Sequence, residues 1–243
     1  MALPKLDTPT YEVVVPSTKD TILVRPFLVK EEKILLMALQ SGDPEDIVRA
    51  TKQIINNCIV TSNFNIDTLE MYDIEYILIQ LRISSIGETA KIRFLPRQGT
   101  ECPECSKPRV VEINLKDAKI EAKEGHSKKI FLTPNVGLIM RYPNAKMLDA
   151  LEKARASKDL NDLFKVIWGC VENVFEDEKL NKASEVTTEK GVEFLENLRS
   201  DQFILIEDFF RTMPKLSQKI TVKCGICPFT QEYTLEGLES FFG

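Results

Sequence analysis

The chain opens with two short, mostly apolar runs that are rich in β-branched residues. These runs, Tyr11–Val15 and Thr21–Arg25, flank a polar segment that begins with Pro16. Two short runs rich in β-branched residues, separated by a proline-containing turn, are typical of a β-hairpin. The sequence therefore predicts an N-terminal hairpin.

Three helices are predicted after the hairpin, because apolar residues recur there every three to four positions. The first runs from about residue 29 to 40, and the second from an N-cap at Asp43 through Cys58. The third begins near Asp67 and stops at Gly87. We assign residues 1–88 to an N-terminal hairpin and helical region.

At Thr89 an alternation with a period of two begins, and it predicts strands at 91–95 and 110–115. Further strand-like segments are predicted at 129–133, 137–141, 219–223 and 232–234. The segment between the fourth and fifth of these strands has helical spacing from about Ala145 to Met213. Its breaks are expected near Ser157, between 176 and 188, and at 199–200.

Two Cys-x-x-Cys pairs, Cys102 with Cys105 and Cys224 with Cys227, each lie in a turn between two strand-like segments. Such a turn points two thiolates at one ion, and two turns supply the four sulfurs of tetrahedral structural zinc. We therefore predict one structural zinc ion per chain, held by all four cysteines. With four protein ligands, no position is left open for catalysis.

The cysteine pairs also define the expected domains. The 118 residues between Cys105 and Cys224 far exceed the roughly 12 to 20 of compact zinc modules. The intervening segment must therefore begin and end near the metal, which loop-closure entropy allows. We expect an α+β fold with an antiparallel β, zinc-ribbon-like region at 89–142 and 214–243, and a helical insertion at 143–213.

The cysteine pairs, the two remaining cysteines and the single histidine could also have roles other than binding zinc. A redox dithiol usually stands at the N-terminus of a helix, and neither pair has that context. Cys58 and Cys170 fall on apolar helix faces, so we expect both to be buried packing residues. His126 is the only histidine and lies in a polar stretch, where a solvated loop residue is expected.

Composition and charge narrow the function classes. The 243 residues are 43% hydrophobic and 28% charged, which allows a sizeable core. The net charge of −5 argues against a protein that coats nucleic acid, although basic residues near the cysteines leave a zinc-ribbon nucleic-acid-binding protein as the alternative. The sequence contains no membrane-spanning apolar run, signal-peptide core or familiar catalytic motif, so we expect a non-enzyme that stays where it is made.

The segment Thr21–Gly42 resembles the start of the baseplate hub proteins of T-even-type tailed bacteriophages. Arg25-Pro-Phe after an early hairpin, followed by a helix that begins Lys30-Glu-Glu-Lys, carries the resemblance, and the opening at Leu3–Tyr11 is similar too. The resemblance implies a non-enzymatic hub component or hub assembly factor that contacts other baseplate hub proteins. It implies neither a small-molecule substrate nor catalytic residues, and places the protein in the host cytoplasm during assembly or in the virion tail baseplate.

A last expectation concerns the binding surface. The helix around Phe203–Phe210 is more apolar than a solvated helix should be, so it either belongs to a core or covers a partner. We expect contacts through the helical insertion and the N-terminal region. Phe209 or Phe210 would be the anchor if either lies at the surface, whereas burial of both would mean that the helix belongs to a core.

Overall fold

Helices and antiparallel strands are both present, which confirms the α+β class. The computed structural model describes residues 7–41, 44–94, 101–147, 150–151, 153–154, 159–237 and 239–242. The helices are α1 (Val29–Ser41), α2 (Pro44–Cys58), α3 (Met71–Ile86), α4 (Leu160–Gly169), α5 (Thr188–Glu196), α6 (Ser200–Thr212) and α7 (Glu239–Phe242). The strands are β1 (Tyr11–Val14), β2 (Thr21–Val24), β3 (Thr89–Phe94), β4 (Arg109–Asn114), β5 (Lys119–Glu121), β6 (Lys129–Phe131), β7 (Val136–Met140), β8 (Val171–Glu176), β9 (Lys179–Lys182), β10 (Lys215–Lys223) and β11 (Thr230–Glu236).

The N-terminal hairpin has the predicted form. β1 pairs antiparallel with β2, from Tyr11 opposite Val24 to Val14 opposite Thr21. Its alternate residues are buried against α2 and α3, because a strand presents every second side chain to one face. The resulting first core cluster includes Val13, Val15, Ile22, Val24, Ile54, Ile55, Ile74, Ile77 and Leu81.

A buried ion pair fixes the entry to α1. The guanidinium of Arg25 donates to both carboxylate oxygens of Glu31, at 2.9 and 3.2 Å. The backbone N–H of Leu28 donates to the same carboxylate at 2.9 Å, and Glu31 is fully buried. Such a charge is tolerated in an interior because it is paired and hydrogen-bonded.

The third helix starts later than the sequence predicts. Ile66–Thr68 form a separate 3₁₀ turn, and α3 begins only at Met71. The buried Asp73 carboxylate explains the later start, because it accepts hydrogen bonds from the N–H of Glu70 and from the N–H and hydroxyl of Ser17. The predicted stop at Gly87 is confirmed, with φ +115° at that glycine. The N-cap predicted at Asp43 lies outside the described residues.

The predicted helical insertion is wrong in its middle. Residues 171–182 form β8 and β9, and the sheet runs in the order β6-β7-β8-β9 with antiparallel pairing throughout. Glu, Lys and Leu residues in this stretch also favour helices, but the pairing of β8 with β7 and of β9 with β8 makes both segments strands. The break expected at Ser157 lies outside the described residues, and the three-part domain division stays a prediction.

Two small sheets carry the cysteine turns. β3 pairs with β4, and β10 lies between β11 and β5. They share the third core cluster, formed by Ile79, Ala90, Ile92, Ile113, Leu115, Ala118, Leu216, Ile220, Val222, Leu235 and Phe241. The predicted hairpins are present, but their strands belong to separate sheets, so the likeness to a zinc ribbon extends no further than the hairpins and their turns.

Candidate metal centre

Each cysteine pair lies at the end of a β-hairpin. In the second hairpin, Lys223 opposite Thr230 is the last strand pair, and the N–H of Cys224 donates to the carbonyl of Phe229 at 2.9 Å to close the turn. In the first, the N–H of Ser106 donates to the carbonyl of Cys102 at 3.1 Å. Both turns therefore hold their cysteines through backbone hydrogen bonds next to a strand.

The two turns bring all four predicted ligands together. The Sγ atoms of Cys102, Cys105, Cys224 and Cys227 all lie within 4.8 Å of one another. Cys102 is 3.8 Å from Cys224, and Cys105 is 3.6 Å from Cys227, measured between Sγ atoms. A Zn–S bond of about 2.3 Å gives a regular tetrahedron with S···S edges of about 3.8 Å. These four sulfurs therefore fit a metal ion with four thiolate ligands.

Backbone N–H groups lower the pKa of two of the four thiols. The N–H groups of Ile226 and Cys227 point at the Sγ of Cys224 from 3.4 and 3.5 Å, and they lower the pKa of this thiol to about 5. The N–H of Cys105 likewise lowers the pKa of Cys102. Burial and the neighbouring sulfurs raise the pKa of Cys105 to about 12, since concentrated negative charge opposes its ionisation. A metal cation between the sulfurs would balance this negative charge and favour the thiolate form of Cys105.

Arg109 contacts the site directly. Its Nη2 lies 3.2 Å from the Sγ of Cys105, and its Nη1 donates to the carbonyl of Lys223 at 3.1 Å. The side chain thus neutralises thiolate charge while it ties β4 to β10. Sequence reasoning counted Arg109 only among the basic residues near the cysteines. Arg109 is the first residue of β4, directly after the first cysteine turn, and this position indicates a side chain close to the thiols.

The remaining cysteines are buried, as predicted. Cys58 and Cys170 have no exposed surface, and burial raises the pKa of Cys58 to about 11 and that of Cys170 to about 12. Cys170 caps the C-terminus of α4 rather than lying on its face. Among the described residues, which include all six cysteines, no disulfide is formed.

The expectation of a solvated His126 is wrong. Its Nδ1 lies 2.9 Å from the hydroxyl of Thr212, and its Nε2 lies 2.9 Å from the hydroxyl of Tyr142. The half-buried ring also stacks on Tyr142, with centroids 5.6 Å apart. Burial, aided by the ammonium of Lys128, lowers the pKa of the imidazole. These contacts give His126 a packing role that the polar local sequence did not indicate.

Of the two alternatives for α6, a core helix or a surface that covers a partner, the burial of its phenylalanines favours the core. Phe209 is only 2% exposed and belongs to the second core cluster, between the β6–β9 sheet and helices α4 to α6. Phe210 is half-buried against the same cluster. The exposed apolar residues of this helix are Ile204 and Leu205. The apolar character of α6 therefore reflects its place in a core.

Comparison with known families identifies the class of protein. A family model described as "T4 bacteriophage base plate protein" matches residues 8–243. This chain belongs to that family. Neither the curated proteins nor the solved structures contain a significant match.

Membership fixes the broad role of this baseplate protein. The family is structural, so the chain serves a structural or assembly role, has protein partners in the phage baseplate and is placed in the tail baseplate of the virion. No helix within the described ranges is long and apolar enough to cross a membrane. The resemblance at residues 21–42 is thereby confirmed at the level of the family.

Proposed function

We propose that this baseplate protein is a component of the tail hub, or a factor that assembles it, and that one structural zinc ion holds its two cysteine turns together. The convergence of four thiol sulfurs from turns 118 residues apart carries the proposal. Membership of a structural family supports action by contact rather than by catalysis. Assembly then takes place in the host cytoplasm, where reduced thiols stay available for metal.

The chain supplies everything that a structural zinc site needs. Cys102, Cys105, Cys224 and Cys227 would be the ligands, and zinc would cross-link them without taking part in a reaction. The N–H groups of the second turn and the guanidinium of Arg109 stabilise thiolate charge. Below the turns, the rings of Phe94 and Tyr233 lie 4.8 Å apart and join the two sheets. The metal therefore joins hairpins that already share a core.

Metal analysis tests the zinc site. Protein purified without added zinc should contain about one zinc per chain, and Cys105→Ser should lose it. Cys58→Ser is the matched control, since Cys58 is equally buried but lies in the first core cluster. Because the sheets share apolar residues, we expect loss of metal to loosen the two turns without unfolding the chain, which hydrogen exchange would measure. A folded wild-type protein without metal would refute the site.

Copurification tests the hub assignment. The tagged chain is expressed with each baseplate protein of the same phage, and stable complexes are identified by gel filtration. Complexes with hub proteins support the proposal, whereas complexes only with peripheral baseplate proteins would contradict it. Infection with a phage lacking this gene should then yield tails without a complete hub.

Nucleic-acid binding is the other function that the sequence suggested. The basic residues near the cysteines include Lys91, Arg93 and Arg109, and two of them contact other groups of the chain. Lys91 lies 3.5 Å from the carboxylate of Glu112, and Arg109 contacts Cys105 and Lys223. Salt-sensitive binding of an oligonucleotide that Arg93→Glu abolishes would favour the nucleic-acid function instead.

A further inference from the structure

The four-stranded sheet β6-β7-β8-β9 has one covered face and one open face. Ile130, Leu138 and Val174 belong to the covered face, which packs on helices α4 to α6 in the second core cluster. Directly paired residues share a face, so the opposite side carries two rows across the sheet. The first row is Phe131, Gly137, Phe175 and Leu180, and the second is Lys129, Ile139, Asn173 and Lys182. We call this side the open sheet face.

An aromatic pair is built into the open sheet face. The rings of Phe131 and Phe175 meet edge to face, with centroids 5.3 Å apart. A Cβ atom at Gly137 would lie 2.4 Å from the ring of Phe175, so glycine makes room for that ring on the strand. The ammonium of Lys129 lies 4.8 Å from the Phe131 centroid and 4.6 Å from that of Phe175.

Sheet stability accounts for only part of this arrangement. An aromatic ring that covers a strand glycine stabilises a sheet, and this explains Phe175, which is 6% exposed. It does not explain Phe131 and Leu180, which leave 52% and 56% of their surface in water. The eight residues of the two rows, all of them described, include two lysines and no carboxylate. The open sheet face is therefore apolar, aromatic and positively charged.

A groove of mixed polar and apolar character continues around the edge of the sheet, and its lining includes Glu124, Asp208 and Arg211. Phe131 and Lys129 also line this groove, which has a volume of about 550 Å³ and lies between β6 and α6. Leu205, which is 39% exposed, lies on the opposite wall of this groove. The continuity matters because a stable protein interface buries about 800 Å² on each partner, more than two phenylalanines provide.

We propose that the open sheet face docks an acidic, apolar segment of another baseplate protein. The proposal rests on the proposed function for the existence of a protein partner. Buried aromatic side chains carry most binding energy at interfaces, and charge complementarity selects the partner. Here Phe131 and Leu180 supply the apolar contact, and Lys129 and Lys182 pair with carboxylates. A second copy of this chain, docked by the same face, would bring the same two lysines to the contact and no carboxylate from the two rows to pair with them.

Affinity measurements on the identified complex test the proposal. The partner is first identified by pairwise coexpression with the baseplate proteins of the same phage, and its dissociation constant is measured by calorimetry. Phe131→Thr keeps strand propensity and removes the ring, while Lys182→Glu reverses one charge. Leu160→Thr and Lys190→Glu are matched controls, since both residues are exposed and lie away from the sheet on α4 and α5. Melting temperature and zinc content confirm that each variant folds.

We expect at least about a tenfold loss of affinity in both test variants and none in the controls. A charge-reversing change in the partner should restore binding to Lys182→Glu. Unchanged affinity in both variants would overturn the docking surface and leave the proposed function intact. If no baseplate protein binds the chain at all, the proposed function fails, and the docking surface with it.

A nucleic-acid probe tests whether the open sheet face binds nucleic acid instead of a protein. A fluorescent 20-residue oligothymidylate is titrated with the same four variants, because aromatic rings with lysines can also stack bases. We expect no binding that depends on Phe131 or Lys182. Binding of the oligonucleotide that both test variants abolish would overturn the proposal in favour of a single-stranded nucleic-acid surface.

Discussion

The carboxyl group of Glu70 makes the stability of this protein depend on pH. Glu70 pairs with Asn144 in an isolated β-bridge where the N-terminal region meets residues 143–145. Its Oε2 and the Oδ1 of Asn144 are buried, and neither has a hydrogen-bond partner among the described residues. Burial, reinforced by the nearby Asp73, outweighs the opposing charges of Lys128 and Arg141 and raises the pKa of Glu70 to about 7. A protonated Glu70 can donate a hydrogen bond, whereas an ionised one cannot.

The size and sign of the effect follow from this shift. The folded-state pKa of about 7 lies above the ordinary value of 4.5, so the folded protein holds this proton more tightly. The stabilisation is present below pH 4.5 and is lost as the pH rises to about 7. A shift from 4.5 to about 7 corresponds to about 3 kcal/mol, at about 1.4 kcal/mol per unit.

Glu70→Gln should remove this dependence, because glutamine keeps the shape and the donor without ionising. Urea unfolding of the zinc-loaded wild type and variant is measured from pH 5.5 to 8.5, with zinc content checked at each pH. We expect the variant to gain on the wild type as the pH rises, by up to about 3 kcal/mol at pH 8. Glu196→Gln is the control, because this carboxylate is exposed at the end of α5. Parallel curves for wild type and Glu70→Gln would refute the reasoning.

Three further predictions concern packing. Phe209→Ala should cost about 3 to 5 kcal/mol in chemical unfolding, because it empties a core position, and a loss under 1 kcal/mol would contradict its burial. Cys58→Ala should cost about 1 to 2 kcal/mol while zinc content, measured by mass spectrometry, stays at the wild-type value; a loss of metal would mean that the ligands are wrongly assigned. Gly137→Ala should lower stability by about 1 to 3 kcal/mol in thermal melts, because the new Cβ meets the carbonyl of Ile130 at 2.1 Å and the ring of Phe175 at 2.4 Å. An unchanged melting temperature would mean that β7 and Phe175 accommodate the new Cβ without a loss of stability.

The sequence alone was sufficient to predict those features of the structure that local interactions determine. Short runs rich in β-branched residues on both sides of a turn identified the N-terminal hairpin, and helical spacing identified α1 to α3. Each Cys-x-x-Cys turn predicted a pair of thiols that point at one ion, since a short turn orients two thiols whatever surrounds it. The meeting of the two pairs depends on the core that their hairpins share. The Arg25-Pro-Phe segment pointed to the baseplate family before any fold was known.

Only the tertiary structure decided the features that depend on residues distant in sequence. β8 is a strand because it pairs with β7, and β9 is a strand because it pairs with β8, although several of their residues also suit a helix. The start of α3 depends on Ser17, more than fifty residues away, through the hydrogen bonds to Asp73. Phe209 is buried because the β6–β9 sheet packs over α6, which a helical pattern cannot distinguish from a partner's surface. The open sheet face likewise arises from cross-strand pairing, since Phe131 and Phe175 are neighbours only once four strands are in register.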